Sequence, residues 1–169
     1  LFNPSIKQGV HSLRSAVRAN EIPTWTLFAG MLGGSFVAVQ TQIVPLIGVA
    51  IYSVASIAGQ SAISLLVDRI GLTGGGKKEI TPRRVTAAFV TVFAVFISVA
   101  DRLDGRDLSI AAVVLGVLAG AIVGVQRALN GQINEHSHQS FTTSLLNFAM
   151  GTTFLLILLI FAIAIGGMK

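Results

Sequence analysis

Polar side chains recur every four residues along one otherwise apolar stretch: Tyr52, Ser56, Gln60 and Ser64, with Gly48 before them and Asp68 after. Residues four apart lie on one face of a helix, with a slow drift about its axis. A phenol, an amide and two hydroxyls in a row supply hydrogen-bond donors and acceptors, which suit the binding of a polar molecule. A second series, Gln126, Asn130 and Asn134, again shares one face by fours, with Arg127 beside it. Asn147 stands inside a later apolar run, one turn before Gly151. Each series has two readings. It lines a substrate path, or it bonds helices to one another, and interhelical bonds of this kind average only about 0.6 kcal/mol.

None of these residues makes a catalytic set. No nucleophile is paired with a base and an acid. The chain has no cysteine, which removes disulfides and thiol chemistry. His136 and His138 have no clear third ligand, so no metal or other cofactor is expected. The run from Gly71 to Lys78 nearly fits a phosphate-binding loop. However, Lys78 stands where Ser or Thr should hold magnesium, and no strand precedes it. The residues point away from an enzyme.

The elements that must carry these groups are apolar. Of 169 residues, 53% are hydrophobic and only 11% charged, against roughly 25% charged in soluble domains. A span needs roughly 20 apolar residues to cross about 30 Å of hydrocarbon. Five runs come near this: about 25–39, 45–67, 85–100, 108–125 (its helix continuing toward Ile133) and 143–165. Lipid tolerates only helices or closed barrels, and these runs do not alternate as barrel strands do. The expected fold is an all-α polytopic transmembrane bundle of about five spans. Polar side chains within it should face the interior or a wet cavity.

Between the runs lie a basic segment (1–24), a short neutral link (Gln40–Pro45), a basic loop (Asp68–Arg84), an acidic link (101–107) and the polar Asn134–Thr142. Residues 1–24 carry a net +2 and Asp68–Arg84 a net +3, whereas 101–107 carries −1. Basic segments collect on the cytoplasmic side. Residue 1, the 68–84 loop and the connection after Arg127 are therefore expected in the cytoplasm, and the C-terminus outside. The formal charge of +5 then reflects membrane orientation, not nucleic-acid binding. Pro23 and Trp25 mark the interface before the first run. The run with Phe89, Phe93 and Phe96 on one face reads as lipid-facing.

Small residues are spaced for helix packing. Gly116, Gly120 and Gly124 form a doubled GxxxG, and Gly30 with Gly34 repeats the spacing earlier. Gly30–Gln40 and Gly116–Gln126 match at six of eleven positions, by common ancestry or by convergence on packing.

The stretch from Glu21 to Leu72 resembles the YdcZ-like family of the drug/metabolite transporter superfamily. The resemblance rests on Pro23 with Trp25, Gly33-Gly34, Pro45-Leu-Ile-Gly48, Gly59-Gln60 and Asp68-Arg-Ile-Gly71. Leu115–Ile133 resembles the opening helix of such a repeat, with Gln126 and Asn130 at its Gln and Asn positions. Asn147-Phe-Ala-Met-Gly151 resembles its second helix. The resemblance implies a bacterial inner-membrane exporter of small molecules, built from five-helix inverted repeats. Its other half lies in the same chain or in a second copy. Residues 25–100 then read as the last three helices of one repeat and 108–169 as the first two of the next. That order, with Leu1 in place of Met, implies the middle of a fused ten-helix protein. The substrate site is expected at Tyr52, Gln60, Gln126, Asn130 and Asn147. The alternative is a non-transporting membrane subunit packed against a partner through its glycine faces.

Overall fold

A computed structural model describes residues 4–73, 76, 77, 79–103 and 109–166, the side chains of 95, 96 and 98–103 excepted. The described chain is helical throughout. Its helices are α1 (Pro4–Arg18), α2 (Ala29–Ile47), α3 (Val49–Ile70), α4 (Pro82–Leu103), α5 (Ile110–Ser137) and α6 (Ser140–Ala164), with a short 3-10 turn at Thr24–Phe28. Among the described residues, four segments are long and apolar enough to cross a membrane: Thr24–Ile47, Val49–Ile70, Ile110–Ser137 and Ser140–Ala164. At about 1.5 Å per residue, their 22 to 28 residues extend roughly 33–42 Å, more than the hydrocarbon needs. None of the most apolar window of α6 is buried within the chain. Such a surface is at home in lipid. The fold is a helical membrane bundle.

α4 takes the place of the third expected span and has the length for it, 22 residues. Its Phe89 and Phe93 are exposed, with rings stacked at 6.3 Å. Phe96 lies outside the described side chains, as do residues 104–107 of the acidic link.

Two expectations about the connections need correcting. Gln40–Pro45 is not a link, because α2 continues through it to Ile47. Proline disfavours a helix interior by removing one N–H and crowding the preceding turn, but Pro45 stands only two residues before the helix end. The chain turns at one residue, Gly48, whose φ of 81° and ψ of 153° belong to a region essentially reserved for glycine. Its N–H donates to the Val44 carbonyl at 2.8 Å, and its carbonyl accepts from Tyr52 N–H at 3.1 Å. Gly48 is thus bonded to both helices, through its N–H to α2 and through its carbonyl to α3. Secondly, most of the basic segment is not a simple connection between runs. Pro4–Arg18 is a helix that buries Gly9, Leu13 and Ala16 on one face and carries no acidic residue.

α3 ends on Gly71, left-handed at φ 76°. Leu72 N–H reaches back to the Val67 carbonyl and Gly71 N–H to that of Asp68. This paired closure satisfies the last carbonyls of a helix. The polar Asn134–Thr142 stretch is mostly helical, and only 138 and 139 lie outside α5 and α6. Ser137, 1% exposed, staples that turn. Its hydroxyl meets the Thr143 hydroxyl at 3.3 Å and accepts from Gln139 N–H at 3.3 Å.

The chain forms two compact units, one of Leu1–Ser35 with Leu129–Lys169, the other of Phe36–Ala128. In the first, α1 lies on the start of α6. A Cβ at Gly9 would stand 3.1 Å from Thr142 Cβ, and the Thr142 hydroxyl donates to the Ile6 carbonyl at 3.5 Å. The start of α2 packs on the middle of α6. A Cβ at Gly30 would clash with the Asn147 carbonyl, and one at Gly34 would stand 2.9 Å from the Gly151 carbonyl oxygen. In the second unit, α4 runs along α3, and α3 also meets α5 backbone to backbone. A Cβ at Gly120 would collide with the Ser56 backbone, and one at Gly59 with that of Val117. Gly116 faces Ala55 and Tyr52, and Gly124 faces Ile63. The core of this unit joins Ile43, Ile47, Ile51, Tyr52, Ala55, Ala58 and Ala112.

Candidate functional site

The polar face of α3 points inward. Tyr52, Ser56 and Asp68 are buried, and Gln60 and Ser64 are half-buried. Burial follows from the helix period: one face in every turn meets α5, and its small residues let the backbones close. The amide of Gln60 donates to the Ser56 hydroxyl one turn earlier, at 3.1 Å. The Ser64 hydroxyl bonds back to the Ser61 carbonyl at 2.7 Å. Both side chains are therefore held toward one side of the helix.

There they line a cavity of about 220 Å³, completed by Val67, Asp68, Thr73, Gly124, Arg127 and Ala128. Gly124 contributes by lacking a side chain, because the space a Cβ would need is taken by Ile63 and α5 can lie close beside the Gln60 backbone. Asp68, 6% exposed, is ion-paired to Arg84 from the first turn of α4. A buried carboxylate costs several kcal/mol unless it is paired, and Arg84 supplies the compensation. Arg127 forms no hydrogen bond or ion pair within the described residues. The Thr73 hydroxyl is buried without a partner. The cavity thus presents a neutralised carboxylate, an uncommitted guanidinium, an amide and hydroxyls. Those groups match a small polar molecule that carries an acceptor or a negative charge.

Tyr52 sits deeper. It is 2% exposed, its ring 5.9 Å from that of Phe36, and its hydroxyl has no partner. It belongs to the apolar core, not to the lining of the cavity. Gln126 is buried on α5 in the same unit. In the first unit, Asn130 donates through Nδ2 to Asn147 Oδ1 at 3.2 Å. The other atom of that amide, Asn130 Oδ1, is buried with no partner. An unsatisfied buried acceptor costs about 1–3 kcal/mol, so this oxygen is a standing invitation to a donor.

The chain matches the model of one family in two consecutive stretches, residues 6–97 and 111–166, a family described as "putative inner membrane exporter, YdcZ". The chain belongs to the YdcZ family. No curated protein and no solved structure matches it. As a YdcZ-family chain with four described membrane-crossing segments, it is an inner-membrane protein. The YdcZ matches cover α1 through most of α4, and then nearly all of α5 and α6.

The site in this YdcZ chain includes residues that spacing alone did not single out. Arg84 stands 16 residues from Asp68 across a loop, and only the fold brings them together. Its place two residues after Pro82, a residue suited to the first turn of a helix, was the available cue. Thr73 lies within the Gly71–Lys78 run, but no spacing rule ties it to the polar face of α3.

Proposed function

We propose that this chain works in the export of small polar molecules across the inner membrane, with the α3–α5 cavity as part of the substrate path. The observation that carries the proposal is the cavity itself. Gln60, Ser64, Thr73 and Arg127 are gathered around space left open at the end of α3, and the Thr73 hydroxyl and the Arg127 guanidinium have no partner among the described residues. A helix pair needing only to pack would fill that space with methyl groups. Gln60 and Arg127 are the proposed substrate contacts there; Tyr52 and Gln126, buried in the same unit, lie outside the cavity lining and are proposed only to border the path deeper in. Asn130 and Asn147 are proposed as a further contact through the free Asn130 carbonyl oxygen.

The family membership supports export. In this reading the chain holds the later part of one repeat and the opening of the next, an arrangement with which two consecutive matched stretches are compatible. In the proposed cycle, two inverted halves rock about a site at the midplane, and the α3–α5 cavity, at the Asp68 end of α3, is the cytoplasmic mouth of the path to it. The second half is supplied by the same polypeptide or by another copy. The proposed orientation keeps α1 and the 68–84 loop in the cytoplasm. The contact of α1 with the first turn of α6 supports one part of it, that α1 and the connection before α6 share a side of the membrane.

The test is a thermal-shift screen of the purified protein against polar and anionic metabolites. A ligand of the folded state at a hundredfold excess over Kd adds about 2.7 kcal/mol of stability. We expect a dose-dependent shift that Gln60→Leu and Arg127→Gln both abolish while the unliganded melt stays cooperative. Shifts that survive both substitutions place the substrate elsewhere. A cooperative melt with no shift across the library counts against transport.

A further inference from the structure

We propose that the first unit holds a site for an anionic phospholipid, its headgroup on α1 and one acyl chain in the groove between α1 and α6. The groove has a volume of about 480 Å³ and an almost wholly apolar lining. Leu13 and Val17 of α1 form one wall, Leu146 and Ala149 of α6 the other, with Leu27 of the 3-10 turn between them. From Thr142 to Ala149 the α6 wall descends about two turns, or roughly 10 Å. A second cavity of about 320 Å³ shares Val10, Arg14 and Leu145 with the groove, so the two adjoin. This second cavity is lined by Lys7, His11 and Arg14.

The division of chemistry selects the ligand. One end is cationic and the other is hydrocarbon, so the occupant is an amphiphile with a negative head. Lys7 and Arg14 are exposed and make no ion pair or hydrogen bond within the described residues. α1 has no acidic residue to neutralise them. Thr142 and Gly9 dock α1 to α6 without filling the groove, so the site is preformed. A basic amphipathic helix of this kind lies in the membrane interface. Under the orientation proposed above, α1 meets the cytoplasmic leaflet, where anionic headgroups attract basic segments. The inference does not depend on which molecule is exported.

The experiment is lipid titration of the purified protein in neutral detergent, read by native mass spectrometry. Phosphatidylglycerol is compared with phosphatidylcholine of identical acyl chains. Phosphatidylglycerol should bind more tightly and raise the melting temperature more. K7Q/R14Q should weaken phosphatidylglycerol about thirtyfold, at roughly one charge contact per residue, and leave phosphatidylcholine unchanged. Ala149→Phe, at an exposed position, should weaken phosphatidylglycerol with every charge intact. Equal binding of the two lipids by the unaltered protein overturns the proposal. So does a phosphatidylglycerol preference that survives K7Q/R14Q, or one indifferent to Ala149→Phe. A change of oligomeric mass in Ala149→Phe with lipid retention unaltered assigns the groove to a second copy and also overturns it.

Discussion

Asp68 and Arg84 show what a single polar contact is worth at the end of a span. The carboxylate is buried, while the arginine side chain is 38% exposed. The exposed partner lowers the contribution below the 3–5 kcal/mol seen when a fully buried pair is broken. Arg84→Gln should therefore destabilise by about 1–3 kcal/mol through the stranded carboxylate. Asp68→Asn in the same chain should recover part of that loss. A double-mutant cycle by denaturant titration in detergent measures the coupling, and additive effects would mean the pair contributes nothing. The Asn130–Asn147 bond is a smaller matter for stability, about 0.6 kcal/mol by comparison with other membrane helices. Asn130→Leu should leave the melting temperature within a few degrees of the parent. A large loss of ligand response in that variant is then chargeable to binding rather than to unfolding.

The helices were largely legible from hydrophobic runs, and the inward face of α3 from its period of four. What the runs did not show was where apolar chain turns. Gln40–Pro45 looked like a link because two Gln, a Thr and a Pro interrupt the hydropathy, yet backbone geometry is decided at Gly48. α1 was missed because its charges suggested solvent. The cue was present in Gly9, Leu13 and Ala16, spaced by four and three, which is enough for a narrow buried face. Arg84 needed the fold itself. Two predictions belong to these elements. Gly48→Ala places a side chain in a region that strains any residue with a Cβ, at a cost of about 1–3 kcal/mol. Chemical denaturation should show that loss even though nothing stands within 4 Å of the new methyl group. Gly120→Val introduces a branched side chain against the Ser56 backbone, where nothing flexible can give way. It should abolish the cooperative melt or the yield of monodisperse protein, and a normal melt would disprove the close α3–α5 approach.

At the scale of the whole chain, family matches and compact units divide the sequence differently. The first match supplies residues 6–35 to one unit and 36–97 to the other, and the second match likewise contributes to both. Neither matched stretch contains a complete unit. A chain severed between residues 103 and 109 should therefore reassemble when both pieces are expressed together. Affinity capture of the first piece should retain the second through several washes. The second piece expressed alone should fail to accumulate. Independent accumulation of both pieces, with no co-capture, would mean that each repeat segment is self-sufficient.

The one-residue corner at Gly48 bears on how this sequence can drift over evolutionary time. Ordinary surface loops absorb insertions and deletions at little cost. Here an added residue has no slack to occupy. Carried into α3, it would turn the helix by about 100°. Tyr52, Ser56 and Gln60 would swing from the protein interior toward hydrocarbon, and apolar neighbours would replace them. Related sequences should therefore vary in side chains around this corner while holding its length constant. The same reasoning makes it the worst place in the molecule to splice a reporter or an epitope.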